Sequence, residues 1–506
     1  MTLPGECGSI GQQAAGPMSG AAIFTVHADG NIGEYDTIMN IEKTTFALFF
    51  GNRGFFPASL QASARAEMTE ALHKLGHKTI AMPAKATRYG AVETPEEGQR
   101  YANFLRQNRG KFGGVILCLP NFGDETGAIA ALKEAGVPIL IQAYPDELDK
   151  MAPALRRDSF CGKFSIMDVF CQYGLKFTAL VPHTVHPRSD RFAANVDYFD
   201  RMCRVVNGMA TMVVGAVGAR TTPFKTVRID EITLQRHGIT METIDLSDVF
   251  ARMQSLKDSH KKVKDKAAVL QKYTSWKGVP PEALQRLARL GVVLDELIKE
   301  FSMDAVAIRC WIEMQKQLGI SPCVLLGELN DRGIPAACEV DVGNAVAMRA
   351  LSLASGRPAT CLDWNNNYGD DDDKCILFHC GPVPQSLMDG PGQIADHAIL
   401  ANAVGKGCGF GCNTGRIAPM PFLFASMLTD HGHVKFYLGQ GRFTNDPVPK
   451  EFFGCAGVAE VENLQGVLQT IGYLGHRHHV SCSPGEVAAP VEEAFRKYLG
   501  YEVTRV

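Results

Sequence analysis

The chain has 506 residues, of which 46% are hydrophobic and 21% are charged, and its formal net charge is −3. This length is enough for two to three domains, and the composition excludes an intrinsically disordered chain. The lack of a broad basic excess excludes nucleic acid as an expected partner. The first twenty residues lack the basic start and apolar core of a signal peptide, and the longest apolar stretch, at 208–219, is too short to cross a membrane. We therefore expect a cytoplasmic protein without a membrane partner.

The first part of the chain alternates short apolar runs with amphipathic segments. The runs predict strands at 45–50, 78–82, 114–119 and 137–142, and the amphipathic segments predict helices at 59–75, 96–108 and 126–135. Strands that are apolar throughout and alternate with helices are typical of a parallel sheet covered on both faces. We assign residues 1–180 to an N-terminal α/β domain.

A second unit is predicted to begin at the Pro- and His-containing stretch 181–188, which interrupts the periodicity. Helices are then expected at 195–207, 249–273, 281–301 and 311–318, with strands at 212–217 and 305–309. This pattern predicts a central α/β domain over residues 181–355.

Beyond residue 356 the pattern changes to short apolar runs separated by Gly, Pro and Asn, at 375–378, 416–420, 434–438 and 458–461. Such spacing is typical of strands, so a β-rich C-terminal domain is expected over residues 356–506. The four consecutive acids Asp370 to Asp373 predict a solvated turn. The predicted fold is thus two α/β domains with parallel sheets followed by a β-rich domain.

The fifteen cysteines follow no regular pairing pattern, and many lie in apolar, strand-like runs. Buried, reduced thiols are the simplest interpretation. Cys408 and Cys412 flank three residues, but without a second pair at similar spacing they make a poor zinc site.

A first candidate functional residue is Glu339, which follows the small, apolar run 334–338. It is expected where a strand ends and a helix begins near Asp341, a place where ligands commonly bind to open α/β sheets. The alternative is a carboxylate that only stabilises a helix N-terminus, and the local stretch by itself favours this alternative.

Two further clusters carry potential metal ligands. The segment 359–368 predicts a strand whose end presents Asp363 beside amides, with an Asx turn as the equally supported alternative. The segment 475–481 places His476, His478 and His479 within four positions. Two carboxylates and an imidazole form a mixed O/N donor set suited to Mn²⁺, Mg²⁺ or Co²⁺. His379 is a candidate for another contact.

The order of these residues resembles the metal triad of the L-fucose isomerase family: Glu339, then Asp363, then a His–His pair near the C-terminus. The His–His pair is also similar to that of L-arabinose isomerases. The resemblance is most specific over 305–384, where it is carried by residues 310–311, 319–323, 330–331 and 338–339, and it extends more weakly over most of the chain.

This resemblance implies two Rossmann-like α/β domains, a β-rich C-terminal domain and an aldose–ketose isomerase that works through a cis-enediol with Mn²⁺. By the same resemblance, Glu339 and Asp363 are the catalytic carboxylates and metal ligands. The C-terminal histidine ligand corresponds best to His479, with His478 as the competitor.

The resemblance also implies where the substrate is held. Trp311, His379 and His478 are expected substrate contacts. Arg53, in the turn 51–54, corresponds to a substrate-binding arginine that reaches in from a neighbouring subunit, so a homo-oligomer, trimer or hexamer, with sites at subunit interfaces is expected.

The substrate class stays open between a pentose, a deoxyhexose and a modified hexose. Related branches are similar to enzymes for L-fucose, D-arabinose and sulfonated hexoses such as sulfoquinovose. This chain departs from the fucose enzymes in being shorter and in carrying the acidic run 370–373 close after Asp363.

Two other functions compete with the isomerase interpretation. A non-catalytic cytoplasmic sugar-binding protein would leave the acidic and imidazole triad unexplained, whereas a metal-dependent aldolase would also stabilise an enediolate. A nucleotide-dependent enzyme is disfavoured because no complete glycine-rich phosphate-binding pattern follows a predicted strand.

Overall fold

The structure is a computed structural model that describes residues 41–57 and 59–506. Its N-terminal part is a four-stranded parallel sheet in the order β2-β1-β3-β4. The strands are β1 (Phe46–Phe50), β2 (Thr79–Ala81), β3 (Gly114–Leu119) and β4 (Ile139–Ala143), and the α-helices are α1 (Ser59–Lys74), α2 (Pro95–Gln107), α3 (Glu125–Leu132) and α4 (Ser159–Gln172). Every residue of β1, β3 and β4 is buried, as the uninterrupted apolar runs predicted.

Helix α4 was not predicted. Its apolar residues do not fall on one face, because Phe160 and Phe164 are more than half exposed while Ile166 and Phe170 are buried. A helix with apolar residues on both faces gives no amphipathic signal in the sequence. The prediction about the first twenty residues concerns a part of the chain outside the described residues.

The central part repeats the same strand order, with a parallel sheet arranged β6-β5-β7-β8. Its strands are β5 (Val213–Val217), β6 (Thr240–Ile244), β7 (Ala305–Ile308) and β8 (Ala336–Cys338). Its α-helices are α5 (Asp190–Met209), α6 (Glu231–Arg236), α7 (Leu246–Ser255), α8 (Lys261–Tyr273), α9 (Pro281–Glu300), α10 (Glu313–Leu318), α11 (Cys323–Asp331) and α12 (Val342–Ser355).

The single helix predicted over 249–273 is wrong, because the chain forms the two helices α7 and α8. The break is explained by a new helix start at His260, whose side chain accepts a hydrogen bond from the backbone N–H of Lys262. Asp245 similarly caps the beginning of α7. Side chains that satisfy free N–H groups at a helix start favour a new helix over continuation of the old one.

The C-terminal part is dominated by a nine-stranded sheet, most of it antiparallel. Its strands are β9 (Thr360–Tyr368), β10 (Asp371–His379), β11 (Gln393–Ala395), β12 (Cys412–Arg416), β13 (Met420–Asp430), β14 (His433–Phe443), β15 (Cys455–Glu460), β16 (His479–Pro484) and β17 (Glu502–Arg505). The α-helices here are α13 (Ala401–Val404), α14 (Leu464–Tyr473) and α15 (Ala488–Glu493), the last continued by a π-helical segment, Ala494–Leu499.

Six of these strands form a sheet whose first and last strands pair with each other. They follow the order β15-β10-β9-β16-β13-β14, and β14 pairs again with β15 through Arg442 with Glu460 and Phe443 with Ala459. This closure makes a small barrel, which removes the free edges that an open sheet would leave. The predicted turn over the acidic run is right for Asp370, which lies between β9 and β10, and wrong for Asp371 to Asp373, which begin β10 with exposed side chains.

Helix α12 connects the central sheet to the barrel. It is buried along most of its length and contacts α5 on one side and barrel strands β13 and β16 on another. Consequently the end of β8, where α12 begins, lies beside the barrel end that carries β9 and β16.

These observations confirm the predicted combination of parallel-sheet α/β units and a β-rich C-terminal part. The three sheets occupy residues 46–143, 213–338 and 360–505, while the domain limits at 180 and 355 stay a prediction. Within the described residues, no helix is long and apolar enough to cross a membrane.

Candidate metal centre

Glu339 lies at the carboxyl end of the parallel strand β8, in the turn that leads into α12. Glu339 and Val340 both adopt the left-handed backbone conformation, with φ values of 64° and 58°. This conformation is unfavourable for residues other than glycine, above all for a β-branched valine, and such strain concentrates at functional sites. The turn is held by a hydrogen bond from the N–H of Val340 to the carbonyl of Ile308 in the neighbouring strand β7, at 3.2 Å.

Asp363 and His479 are direct cross-strand partners in the antiparallel pair of β9 and β16. Side chains of such partners project from the same face of a sheet and lie close together. Here the His479 Nε2 atom lies 3.4 Å from Asp363 Oδ1 and 3.0 Å from Glu339 Oε2. The central sheet and the barrel therefore bring together the three residues that the sequence predicted as metal ligands.

The strand β9 differs from its prediction in one respect. Asp363 is inside a strand that runs on to Tyr368, and not at a strand end or in an Asx turn. The exposed amides Asn366 and Asn367 continue the strand toward the turn at Gly369 because they pair with Ile376 and Cys375 of β10, and the exposed Asn365 lies at a register shift.

A buried carboxylate orients His479. Asp341 Oδ2 lies 2.8 Å from His479 Nδ1, and Asp341 also contacts Arg477 and accepts a hydrogen bond from the N–H of Asn344 as the cap of α12. The side chains of Asp341, His479 and Arg477 are at most 3% exposed. With Nδ1 occupied by the carboxylate, Nε2 is the atom that His479 presents to a metal ion.

Gly343 makes room for this arrangement. A Cβ atom at this position would lie 2.5 Å from Arg477 Nη1 and 2.6 Å from the carbonyl oxygen of Met427. Only glycine therefore lets the Arg477 guanidinium approach the first turn of α12 closely enough to reach Asp341.

Two more histidines border the three ligands. His379, at the end of β10, accepts a hydrogen bond at Nδ1 from the N–H of Cys380. One of its ring nitrogens lies within 4.8 Å of a carboxylate oxygen of Glu339 and of a ring nitrogen of His479. His478 is more exposed and lies 3.8 Å from Asp363 Oδ1 through its Nε2. The structure thus places both histidines at the site, His379 buried and His478 toward solvent.

Aromatic side chains lie next to the Glu339 carboxylate oxygen that does not face His479. Trp311 donates a hydrogen bond from Nε1 to Glu339 Oε1 at 2.9 Å. The ring of Phe224 lies 6.0 Å from that of Trp311 and 5.6 Å from the rings of His478 and His479. Together these rings form an apolar wall next to the acidic and imidazole groups.

The pKa values of these groups reflect their mutual contacts. Burial would raise the pKa of Glu339, but the hydrogen bond and charge of His479 hold it below its ordinary value. Burial would lower the pKa of His479, but its contacts with Cys361, Asp341 and Glu339 raise it well above the usual range. The metal-free site therefore favours a carboxylate and an imidazolium, and a divalent ion that binds there must displace the imidazolium proton.

The residues present fit a divalent cation. The buried atoms Asp363 Oδ1 and His379 Nε2 make no hydrogen bond within the described part of the chain, which leaves two donor atoms free for a ligand. Neighbouring ligands of an octahedral ion with bonds of about 2.1 Å lie about 3.0 Å apart, close to the separations of 3.0 and 3.4 Å found here. Oxygen and imidazole donors suit Mn²⁺, Mg²⁺ or Co²⁺ better than a thiolate-preferring metal.

Arg53 lies in a different part of the molecule, after strand β1. Its guanidinium donates to the carbonyl of Gly123 at 2.8 Å, forms an ion pair with Glu125 and stacks over the ring of Phe122. Its part in substrate binding stays a prediction.

Sequence reasoning missed Asp341, Arg477 and Phe224 as parts of this site. Asp341 carried a signal only as a helix cap, and it does cap α12. Its second role depends on His479, 138 positions further along the chain, and no local pattern reports such a contact. The segment 476–479 could have suggested that Arg477 belongs to the site, because Arg477 lies between His476 and His478 in the sequence.

Comparison with known proteins agrees with this geometry. Residues 47–210 match the family model "Fucose/sulfoquinovose isomerase, N-terminal domain", and residues 377–506 match "L-fucose isomerase, C-terminal domain". Because the two matches together span more than half of the 506 residues, the chain belongs to the fucose/sulfoquinovose isomerase family of aldose–ketose isomerases.

Several similar proteins are named sulfoquinovose isomerase, and three of them illustrate the degree of similarity. The protein from Alkalicoccus urumqiensis is 23% identical over 59% of this chain and 66% of its own length. The protein from Priestia megaterium is 23% identical over 80% of this chain and 88% of its own length. The protein from Clostridium sp. (strain MSTE9) is 25% identical over 66% of this chain and 73% of its own length.

Proposed function

We propose that the chain is a cytoplasmic, metal-dependent aldose–ketose isomerase whose divalent ion, Mn²⁺ or alternatively Mg²⁺ or Co²⁺, is held by Glu339, Asp363 and His479. One observation carries the proposal: Glu339 Oε2 and Asp363 Oδ1 converge on the same nitrogen of His479, at 3.0 and 3.4 Å. Carboxylate oxygens and an imidazole nitrogen are donors that a hard divalent ion accepts.

When bound, the ion would supply Lewis-acid polarisation of a carbonyl and its neighbouring hydroxyl, which would make the C–H proton of the hydroxyl-bearing carbon more acidic. Glu339 acts as the base that removes the C2 proton and returns it to C1, because its lowered pKa keeps it ionised. Asp363 serves as the partner acid and base on the hydroxyl oxygens. In the reverse direction Glu339 removes the C1 proton and returns it to C2, while Asp363 moves the hydroxyl proton the opposite way.

The other side chains position these groups. Trp311 fixes one oxygen of Glu339 by its hydrogen bond, which leaves the second oxygen facing His479. His379 and His478 border the ligands and are suited to hydrogen-bond substrate hydroxyls. The Phe224 ring offers an apolar surface for the C–H face of a sugar.

A modified, sulfonated hexose is the first substrate to test. The candidates are a pentose, a deoxyhexose and a modified hexose, and the names of the relatives support the last of these. The test is a panel of aldoses that includes sulfoquinovose, incubated with Mn²⁺-loaded protein while ketose formation is followed. Isomerisation preserves the carbon count, so shorter products would indicate an aldolase, and binding without turnover would indicate a sugar-binding protein.

The proposal includes a homo-oligomer, a trimer or hexamer, in which Arg53 reaches the substrate in a neighbouring subunit. Mixing inactive Arg53→Ala protein with inactive Glu339→Gln protein should restore part of the activity, because some hybrid sites combine an intact Arg53 with an intact Glu339. Arg65→Ala is a matched control, since Arg65 lies in α1 and donates to the backbone carbonyl of Met82. No recovery despite proven subunit exchange would contradict shared sites.

A further inference from the structure

A second group of potential ligands, made of sulfur instead of oxygen and nitrogen, lies next to the candidate metal centre. The buried residues are Cys323, Cys338, Cys380 and Cys412, with Cys310 beside Cys338. They come from separate segments: the start of α11, the end of β8, the residue after β10 and the start of β12. We call the first four the thiol cluster.

Three sulfur atoms of the thiol cluster are close to one another, and Cys412 adjoins them through Cys323. Cys323 Sγ lies 3.4 Å from Cys380 Sγ and 4.0 Å from Cys412 Sγ. Cys323, Cys338 and Cys380 place their sulfur atoms within 4.8 Å of one another. Three side chains thus point at a common centre from three places far apart in the sequence.

These separations suit one bridging ion. Zinc–sulfur bonds are about 2.3 Å long, so two thiolates on one tetrahedral zinc ion lie about 3.8 Å apart. The distances of 3.4 and 4.0 Å lie on either side of that value. A disulfide would need a sulfur–sulfur distance of about 2.0 Å, which is much shorter than the separations found here.

The surroundings select a soft metal. The four thiols are buried, and the atoms that the thiol cluster offers to an ion are sulfur. Thiolate donors prefer Zn²⁺ and Cu⁺ over Mn²⁺ and Mg²⁺.

We propose that Cys323, Cys338 and Cys380, with Cys412 as the fourth ligand, bind one zinc ion in a closed structural site. The bond to Cys338 would anchor the residue immediately before Glu339, and the bond to Cys380 would anchor the residue immediately after His379. The ion would thereby fasten the end of β8 to the end of β10, and so the central sheet to the barrel. This proposal does not depend on the proposed isomerase reaction.

The test is the metal content of the full-length protein. Cells are grown with added zinc, and the purified protein is treated with a mild chelator and then Mn²⁺ before elemental analysis. We expect one zinc ion per chain in the unchanged protein and a loss of most of it in Cys323→Ser. Cys455→Ser is the matched control, because Cys455 is a buried thiol in β15, and it should keep its zinc.

Two further measurements separate this site from the candidate metal centre and from misfolding. Glu339→Gln should keep its zinc while it loses Mn²⁺ affinity, whichever sugar the protein acts on. In the unchanged protein, growth with Co²⁺ in place of zinc should give the strong thiolate-to-cobalt absorption of a tetrahedral sulfur site. A zinc content near zero, a cobalt spectrum without thiolate bands, or a mass-mapped disulfide between Cys323 and Cys380 would overturn the proposal.

Discussion

His479 is held by Asp341 at one ring nitrogen and faces Glu339 with the other, at 2.8 and 3.0 Å. Asp341 follows Glu339 by only two positions, so one short turn after β8 supplies both a candidate ligand and the group that orients another. A change in this turn alters two ligands at once. The unfavourable left-handed conformations of Glu339 and Val340 occur in the turn that supplies both of these groups, as expected for strain at a functional site.

The first prediction concerns Asp341→Asn, which removes the charge that pairs with His479 and Arg477. We expect Mn²⁺ affinity to fall about 10- to 100-fold, since partners that orient a metal ligand typically contribute this much. Calorimetric titration of the metal-free protein with Mn²⁺ measures this change in affinity. Unchanged affinity in the folded variant would show that Asp341 does not orient the ligand.

The same substitution should also lower stability. The side chains of Arg477 and Asp341 are 3% and 0% exposed, and leaving a buried charge without its partner costs about 3–5 kcal/mol. We expect a clearly lower melting temperature than that of Asp371→Asn, whose carboxylate is exposed at the start of β10.

The second prediction concerns Trp311→Phe, which keeps an aromatic ring but removes the donor to Glu339 Oε1. A hydrogen bond to a charged group contributes about 1.5–3 kcal/mol, so kcat/KM should fall about 10- to 100-fold. Steady-state kinetics on the substrate found by the sugar panel measures this. Trp276→Phe is the control, because Trp276 Nε1 donates to the Leu270 carbonyl at 2.7 Å, and its kinetics should stay close to those of the unchanged protein.

The fold could be predicted where one pattern dominated. The fully apolar strands β1 and β3 and the amphipathic helix α9 were found from periodicity alone. The break between α7 and α8 was missed because it depends on the cap at His260, and β6 was missed because most of its residues are only partly buried. The spacing of apolar residues indicates which elements are buried, and it does not detect a half-buried strand or a helix break set by a capping side chain.

The three candidate ligands were named from the sequence and lie near one another in the fold, but the residues that orient them were missed. Glu339, Asp363 and His479 belong to residue types that carry chemistry, and their order resembled a known family. The neighbours that orient them are set by tertiary contacts, such as the approach of Arg477 to α12 across Gly343. The thiol cluster was likewise invisible, because its members are scattered over residues 323–412 and only the fold assembles them.

The third prediction concerns acid stability and His476. Burial, then the charge of Arg477, lowers the pKa of His476 from 6.5 to about 3. Between these values the unfolded chain binds a proton that the folded chain does not, so stability falls as the pH drops below about 6.5. At one pKa unit per 1.36 kcal/mol, the loss by pH 5 is about 2 kcal/mol.

Replacing His476 should therefore flatten the acid side of the stability profile. Melting temperatures at pH 7 and pH 5 should differ less in His476→Gln than in the unchanged protein. His431→Gln is the matched control, since the side chain of His431 is 90% exposed, and its profile should follow that of the unchanged protein. An equal drop in all three proteins would mean that His476 does not contribute to acid sensitivity.

The last prediction concerns Glu339→Gln, which keeps the shape of the side chain but removes its charge and basicity. We expect kcat to fall by at least about 10² to 10⁴-fold, the usual contribution of a positioned general base, with a further loss from weaker metal binding. Asp363→Asn should behave similarly, because Asp363 faces the same nitrogen of His479. Asp371→Asn controls for the loss of one negative charge and should leave kcat unchanged. Kinetics are compared at saturating Mn²⁺ with metal content measured on the same samples, so that lost chemistry is distinguished from lost metal. A folded, metal-loaded Glu339→Gln protein that turns over at the normal rate would remove Glu339 from the reaction.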